Sequence, residues 1–355
     1  MSTGPRLRVV VGAGGVGKTT LAAALGVEAA RRGREALVMT FDPSLRLKSA
    51  LGIEGAATDE AVTVPLPKNL AAAGGSLAAS LLDARKTFDR LVSRYAPDPA
   101  ARDRILGNRF YDRLSGSLGG ILEYMAVERL FEVASEGGYE EVVLDTPPTQ
   151  QALDFLEAPD RIIAFLDSGI VKLASRQWFD RDGRLRAARS LGPLAGRLEA
   201  YLDQVVGLDL LKEMAEFFGA FLPLFAGFRQ RAEDVKRLLR SPRTEFLLVG
   251  GPAEERLPDT LFFARKLRER NFALRAMVVN RVHPRWVAQT AAGEELREEL
   301  ALMSWLGERD HAGIEQLRRL LATGDRLVCL PLSEDELTDL HSLAALGGEV
   351  ERQLR

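Results

Sequence analysis

A glycine-rich stretch near the start of the chain, VVVGAGGVGKTT, limits what the protein can fold into. The apolar run before its glycines predicts a buried strand, and the alanine-rich run after them predicts a helix. Its glycines fit the G-x-G-x-x-G loop of dinucleotide-binding folds, but Lys18 and Thr19 complete the longer G-x-x-x-x-G-K-[ST] loop of triphosphate-binding folds. Only a triphosphate needs Lys18 across its β- and γ-phosphates and the Thr19 hydroxyl on Mg²⁺. We therefore favour a nucleoside triphosphate over a dinucleotide, and over a tight turn without a ligand.

Composition excludes several classes of protein. The 355 residues carry a net charge of −2, so no overall field attracts nucleic acid or anionic lipid, and we expect no nucleic-acid partner. Cys329 is the single cysteine, which rules out a disulfide within the chain. The apolar, uncharged run at residues 217–228 is well short of the ~20 residues that a bilayer span needs. We expect a cytoplasmic protein, with membrane association through a partner left open.

Short runs rich in Val and Leu predict a mostly parallel sheet. Unalternated apolar runs of this kind are typical of strands that are buried on both faces. Helical patterns separate the runs, and the order strand, helix, strand predicts a doubly wound α/β fold of the P-loop NTPase type. The predicted strands lie at residues 8–12, 35–42, 140–145, 245–251, 275–280 and 326–331.

Long helical patterns interrupt this order and predict an inserted helical subdomain. We predict a helical insertion at 68–136 and a helical subdomain at 161–240. The ATPase core would then consist of residues 1–67, of 137–160 with a second switch, and of the C-terminal part 241–355.

Two local patterns refine the helical predictions. Large apolar side chains spaced by three and four residues predict one apolar helix face, which Pro223 should kink or break. Near the C-terminus, Ser333 and Glu336 have the spacing of a capping box and predict the start of the last helix. The apolar face consists of Leu210, Met214, Phe217, Phe221, Phe225 and Phe228.

Asp145 ends the apolar run EEVVLD, at the position where a carboxylate can hold water on Mg²⁺. With this residue, the motifs resemble the ArsA-type ATPases, which include the arsenite-pump ATPase and the ATPase that targets tail-anchored membrane proteins. The likeness is greatest to bacterial ArsA-like anion-transporting ATPases. It rests on the segments VGAGGVGKTT, FDPSLRLKSALG, LDTPPTQQALDFLEAP, VVNRVHP and CLPLSEDE, which extend over nearly the whole chain.

The resemblance implies roles for individual residues. Asp42 in the first switch would orient or deprotonate the attacking water, Asp145 would begin the second switch, and both would act on Mg²⁺ through water while Thr19 binds it directly. Asp42 could instead cap the following helix, and Asn280 could be a strand-end turn residue. Arg46 is left open between a solvated charge, a phosphate contact and a subunit contact. The implied catalytic residues are Asp42, Lys18 and Asp145, and the implied nucleotide-binding residues are Gly12, Ala13, Gly14, Gly15, Val16, Gly17, Lys18, Thr19, Thr20, Asn280, Arg281 and Pro331.

The chain departs from the family at Ala13. The family has a lysine there that crosses a dimer interface to the nucleotide of the other subunit, and a methyl group cannot do this. A cation of this kind is worth about 10³- to 10⁵-fold in rate. Slow hydrolysis, a substitute cation and a lysine-bearing partner chain all remain open.

The metal motifs of the family are also missing. The chain has no Cys-x-x-Cys pair for a zinc clasp, and one cysteine cannot supply the thiolate cluster that arsenite prefers. Gln151 stands where the pump has a histidine. His283, His311 and His341 show no ligand spacing and are interpreted as surface or structural residues. We therefore expect neither a zinc nor an arsenite site.

These observations predict a Mg²⁺-dependent ATPase that switches a homodimer, or a heterodimer with a related ATPase, between open and closed forms. The helical insert could hold a hydrophobic helix of a client or contact a membrane protein, although an apolar helix face is more often core. One alternative is a cytosolic ATPase subunit of an anion transporter. Another is a weakly active, nucleotide-gated binding subunit of a heterodimer.

Overall fold

The structure is a computed structural model. It describes residues 4–41, 46–53, 60–70, 74–109, 111, 121–168, 208–253, 257–285, 294–321, 324–333, 337 and 339–355. Within these residues, eight strands form one sheet in the order β3-β4-β2-β5-β1-β6-β7-β8. All neighbouring pairs are parallel except β3 with β4, so the predicted doubly wound α/β fold is confirmed.

The strands agree with the six apolar runs and add two that we did not predict. The strands are β1 (Arg6–Gly12), β2 (Glu35–Thr40), β3 (Val62–Thr63), β4 (Ser76–Leu81), β5 (Glu141–Asp145), β6 (Thr244–Gly250), β7 (Leu274–Val282) and β8 (Arg326–Pro331). The described helices are α1 (Lys18–Arg31), α2 (Arg46–Leu51), α3 (Ala84–Tyr95), α4 (Pro99–Leu106), α5 (Ile121–Glu136), α6 (Thr149–Asp167), α7 (Leu208–Phe221), α8 (Phe225–Leu239), α9 (Leu257–Glu269), α10 (Glu294–Leu320) and α11 (Leu340–Gln353). None of them is both long and apolar enough to cross a bilayer.

The chain groups into two compact units. The first comprises Met1–Asp83, Leu130–Leu153 and Leu238–Arg355, and it contains the sheet. The second comprises Ala84–Arg129 and Asp154–Arg237. The segment boundaries that we derived from the sequence stay a prediction.

Helix α1 lies at the centre of the first unit and carries the glycine-rich loop at its N-terminal end. Its alanines are fully buried, and they allow close packing against the sheet and against α11. A Cβ on Gly347 of α11 would lie 2.3 Å from the carbonyl oxygen of Ala24, so only a glycine permits this approach. The loop is therefore attached to a helix that is fixed on two sides.

The second unit has an aromatic core. Phe217 and Phe221 stack with ring centroids 5.5 Å apart, and Phe221 packs edge-on against Phe228 at 4.8 Å. Phe88 of α3 stacks on Phe221 at 6.1 Å. The predicted apolar face is thus largely core of this unit, because Phe217, Phe221 and Phe228 are buried while Met214 and Phe225 are half-buried. The side chain of Leu210 lies outside the described residues.

Pro223 breaks the helix as predicted. Helix α7 ends at Phe221, a 3₁₀ turn covers Leu222–Leu224, and α8 begins at Phe225. Proline at this position removes one N–H donor from the helix and leaves a tighter turn in its place.

Two predictions about local structure were wrong. Segment 68–136, which we expected to be helical, contains β4, whose sequence SLAASL lacks the β-branched residues typical of strands and is fixed by pairing with β2. The last helix begins at Leu340 and not after Ser333. Its cap is Asp339, whose carboxylate accepts hydrogen bonds from the backbone N–H groups of His341 (2.7 Å) and Ser342 (2.9 Å). Glu336 lies outside the described residues.

Candidate nucleotide site

The glycine-rich loop leaves β1 in a backbone conformation that only glycine adopts easily. Gly12 has a φ of 150°, and a Cβ there would lie 2.2 Å from the carbonyl oxygen of Val249 on β6. Gly15 and Gly17 also have positive φ, at 74° and 97°. Gly14 and Gly15 are exposed, and a Cβ on either would meet open space. Main-chain N–H groups at a helix N-terminus are thereby left open to an anion.

Lys18 begins α1, and its ammonium is turned back over the loop. The Nζ atom donates a hydrogen bond of 2.8 Å to the carbonyl oxygen of Ala13, and the side chain is buried. The loop thus folds over a cation at the N-terminus of the helix, where the helix dipole also favours negative charge. Thr19 and Thr20 follow in the first turn of α1 and are half-buried.

Asp145, at the end of β5, connects the end of β2 to the first turn of α1. Its Oδ2 atom accepts hydrogen bonds from the hydroxyl groups of Thr19 on α1 (2.8 Å) and Thr40 at the end of β2 (3.0 Å). The carboxylate is 1% exposed and lies at the end of β5, next to β1 in the sheet. A hydroxyl and a carboxylate in contact are hard oxygen donors of the kind that Mg²⁺ prefers, so these residues fit a Mg²⁺ ion.

Asn280 connects β7 to the glycine-rich loop. Its Nδ2 donates a hydrogen bond of 2.8 Å to the carbonyl oxygen of Val16, and its Oδ1 accepts one of 3.0 Å from the backbone N–H of Arg281. A Cβ on Gly17 would lie 2.3 Å from Nδ2, so glycine at this position makes the contact possible. The sequence predicted a role for Asn280 at the base of a nucleotide. It did not indicate that Asn280 supports the phosphate-binding loop.

Arg281 adopts a backbone conformation that is unusual for its residue type. Its φ is 60°, and Asn271 is the other non-glycine residue with positive φ in the described part of the chain. Asparagine enters this region readily, whereas arginine pays about 1–2 kcal/mol. The ladder between β7 and β8 is irregular between Val279 and Val282, which accommodates the unusual residue. Arg281 is exposed, and its guanidinium makes no hydrogen bond or ion pair with any described residue.

Pro331 ends β8 beside this segment. It pairs with Val282 in the β7–β8 ladder, and the backbone N–H of Leu332 donates a 2.8 Å hydrogen bond to the Val282 carbonyl. Pro331 and Leu332 are both exposed, and Leu332 retains 43% of its accessible surface. An apolar surface is therefore present where a nucleotide base was predicted.

We did not predict the hydrogen-bonded contact between His283 and Asp310 that follows Arg281. His283 donates its backbone N–H to Oδ2 of Asp310 at 3.0 Å, and its Nδ1 lies 2.7 Å from the same oxygen. Burial raises the pKa of the Asp310 carboxyl, but hydrogen bonds from His283 and Arg309 outweigh it and hold that pKa below its ordinary value. Asp310 lies in the charged run GERDH, and nothing in that pattern distinguishes it from a surface residue. His283 is therefore structural, which was one of the two interpretations offered.

The structure brings most of the predicted site residues together. Direct hydrogen bonds join the glycine-rich loop to Asp145 and to Asn280, and Arg281 follows Asn280 in the chain. Asp42 lies outside the described residues, so its role stays a prediction. Arg46 begins α2 and is exposed.

The arrangement matches a known family. A sequence model of the family described as anion-transporting ATPase, ArsA_ATPase, matches residues 6–302. The chain belongs to this ATPase family. It is therefore a P-loop ATPase, an ATP hydrolase whose family binds nucleotide, and the predicted relationship to ArsA-type ATPases is confirmed.

Curated relatives agree with this assignment. The chain is 24% identical over 348 residues to "ATPase GET3C" of Arabidopsis thaliana, with 95% of this chain and 80% of the relative aligned. It is 28% identical over 250 residues to "Probable plasmid-partitioning protein ParA" of Thermus thermophilus, with 64% and 74% aligned. An uncharacterized protein of Streptomyces coelicolor is 30% identical over 194 residues, which are 54% of this chain. The alignment spans 44% of the length of that protein.

Proposed function

We propose that this ATPase binds Mg²⁺–ATP on the loop formed by residues 12–20 and uses hydrolysis to switch a dimer between open and closed forms. The observation that carries the proposal is the pair of contacts that Lys18 and Thr19 make at the N-terminus of α1. Lys18 lies over the loop on the Ala13 carbonyl, and Thr19 contacts Asp145. A cation at the open N-terminus of a helix suits the phosphates of a nucleoside triphosphate, and a neighbouring pair of oxygen donors suits its metal ion.

Each residue of this site has a defined task in the proposal. The loop N–H groups and Lys18 bind the phosphate oxygens, and Lys18 leaves the Ala13 carbonyl to do so. Thr19 and Asp145 would hold Mg²⁺, the threonine directly and the aspartate through water. When bound, the ion would supply positive charge that offsets the charge developing on the phosphates. Thr40 holds the Asp145 carboxylate in place through its hydroxyl.

Asp42 orients the attacking water in this proposal. Phosphoryl transfer depends more on a positioned nucleophile than on a strong base, so a carboxylate after β2 is chemically suitable. We expect Asp42→Asn to bind ATP like the wild type and to turn it over at a much reduced rate. Equilibrium binding and phosphate release, measured on the same preparation, check this. Full turnover by the variant would contradict the role.

In this proposal, adenine binds to Asn280 and packs on Pro331. Asn280 retains one amide hydrogen and one lone pair after its contacts with the loop and with Arg281, so it can still bind a base edge. The exposed Pro331 and Leu332 offer an apolar surface for the ring.

The dimer proposal is tested by turnover as a function of protein concentration. Specific activity that rises with concentration supports a homodimer in which another residue replaces the lysine missing at Ala13. Activity near zero throughout, with ATP still bound, contradicts the homodimer and supports the alternative that Ala13 favours. In that alternative, the chain is a weakly active, nucleotide-gated subunit of a heterodimer with a related ATPase.

The proposal also concerns the partner on which the ATPase acts. The partner would be a hydrophobic client helix or a membrane protein. In the other candidate function, this chain is the cytosolic ATPase subunit of an anion transporter. A cytoplasmic location fits both. A client would need a surface other than the buried rings of Phe217, Phe221 and Phe228. An environment-sensitive dye that binds equally with and without ATP would contradict a client surface controlled by nucleotide.

A further inference from the structure

Arg281 is an exposed cation without a partner among the described residues, held next to the phosphate-binding loop. Asn280 fixes its position, since the Asn280 amide binds the Val16 carbonyl with one end and the Arg281 backbone N–H with the other. The segment therefore cannot move away from the loop without breaking a hydrogen bond. A left-handed arginine held this way is unfavourable for its residue type, and residues in such conformations cluster at functional sites.

The charge balance of the site supplies that explanation. Residues 12–20 contain one cation, Lys18, and the neighbouring Asp145 carries the opposite charge. Bound ATP with one Mg²⁺ adds net negative charge that these two groups do not offset. The side chain of Ala13 contributes none. A further cation improves the electrostatic complementarity of the site, and a guanidinium is well matched to phosphate oxygens.

We infer that Arg281 is a phosphate-contacting residue of the nucleotide site, presented by the left-handed bend that Asn280 holds. This inference rests on the proposed function and deepens it. It assigns the guanidinium to the phosphates and leaves the base to Asn280 and Pro331.

The test compares binding of Mg²⁺–ADP and of adenosine by calorimetry, using the whole chain. Asparagine tolerates left-handed backbone, so Arg281→Asn removes the cation without adding strain. We expect its affinity for ADP to fall by about 10- to 100-fold, the value of a hydrogen bond to a charged group. Its affinity for adenosine should be unchanged. Arg281→Lys should lose less ADP affinity because it keeps the charge.

Arg285→Gln is the matched control. Arg285 lies in the same segment, is exposed, and is paired with Glu308 at 2.8 Å, so its loss should not affect ADP binding. Unchanged ADP affinity in Arg281→Asn would overturn the inference and leave the proposed function intact. An equal loss of adenosine affinity would also overturn it, because the contact would then be to the base. A wild-type chain that binds no ADP would overturn the proposed function together with the inference.

Discussion

In the first unit, charged side chains have different partners at the two ends of the parallel strands. We call the side with the amino ends of the strands the amino edge and the side with their carboxyl ends the carboxyl edge. At the amino edge, Arg8 is paired with two carboxylates, those of Glu141 and Glu351. Arg8 is 2% exposed and contacts Glu141 at 3.1 Å as well as Glu351. At the carboxyl edge, Lys18 donates to a main-chain carbonyl. The guanidinium of Arg281 has no partner among the described residues.

This difference separates charges that are paired with each other in the fold from the exposed guanidinium of Arg281, which is available to a ligand. The amino-edge network also includes Arg34, which contacts Glu141 at 2.5 Å, and Arg32, which contacts Glu351 at 2.8 Å. Removing one member would leave a buried charge without compensation. In the proposed function, removing Lys18 or Arg281 at the carboxyl edge instead takes away a contact to phosphate. Stability should therefore depend on the first edge and nucleotide chemistry on the second.

The largest effect is expected for Lys18→Met. We expect turnover to fall about 10³-fold, because a preorganised cation at the transferred phosphate is lost. The melting temperature should fall less than that of Arg8→Met, because Arg8 is paired with two buried carboxylates. Steady-state phosphate release and thermal melting on one preparation check both. Unfolding of this variant would contradict the separation between the edges.

Arg8→Met should have the converse effect. We expect the free energy of unfolding to fall by about 3–5 kcal/mol, because Glu141 and Glu351 would lose a buried partner. Arg6→Met is the matched control on the same strand. Arg6 is half-buried and pairs with Glu245 at 2.7 Å, so its loss should cost less than about 1 kcal/mol. Urea denaturation measures both, and equal costs would contradict the distinction.

Asp310→Asn tests a paired charge beside the carboxyl edge. The folded-state pKa of Asp310 is lowered, so its stabilising contribution is present above the ordinary aspartate pKa of about 3.9 and is lost as the pH falls through the folded-state pKa. We expect a loss of about 2–3 kcal/mol near neutral pH, and a smaller difference from wild type in acid. Glu308→Gln, an exposed neighbour on α10, is the control. A difference that does not depend on pH would contradict the assignment.

The smallest effect is expected for two glycine-to-alanine variants, and comparing them distinguishes backbone strain from a steric clash. Gly17 and Gly324 both have a φ of 97°, but a Cβ on Gly17 would lie 2.3 Å from Asn280 Nδ2, while one on Gly324 would meet open space. Each change to alanine should cost about 1–2 kcal/mol through its backbone conformation. Gly17→Ala should also weaken ATP binding, and Gly324→Ala should not. Chemical denaturation and calorimetric titration compare the two variants.

The sequence by itself determined the strand-loop-helix unit at residues 9–20, the parallel sheet and the break at Pro223. These features depend on local chemistry, namely apolar runs, glycine conformation and the missing N–H of proline. Strand β4 could not be predicted this way, because its small residues are held extended by pairing with β2 and β3.

Tertiary structure alone decided how Asn280 and Asp310 are used. Asn280 and Val16 are separated by 264 positions, yet packing of the sheet brings them within hydrogen-bond distance. Asp310 resembles any other charged residue in its helix until His283 and Arg309 surround it. Hydrogen bonds and charge compensation between distant segments depend on distances that the fold sets, and periodicity or motif spacing carries no information about them.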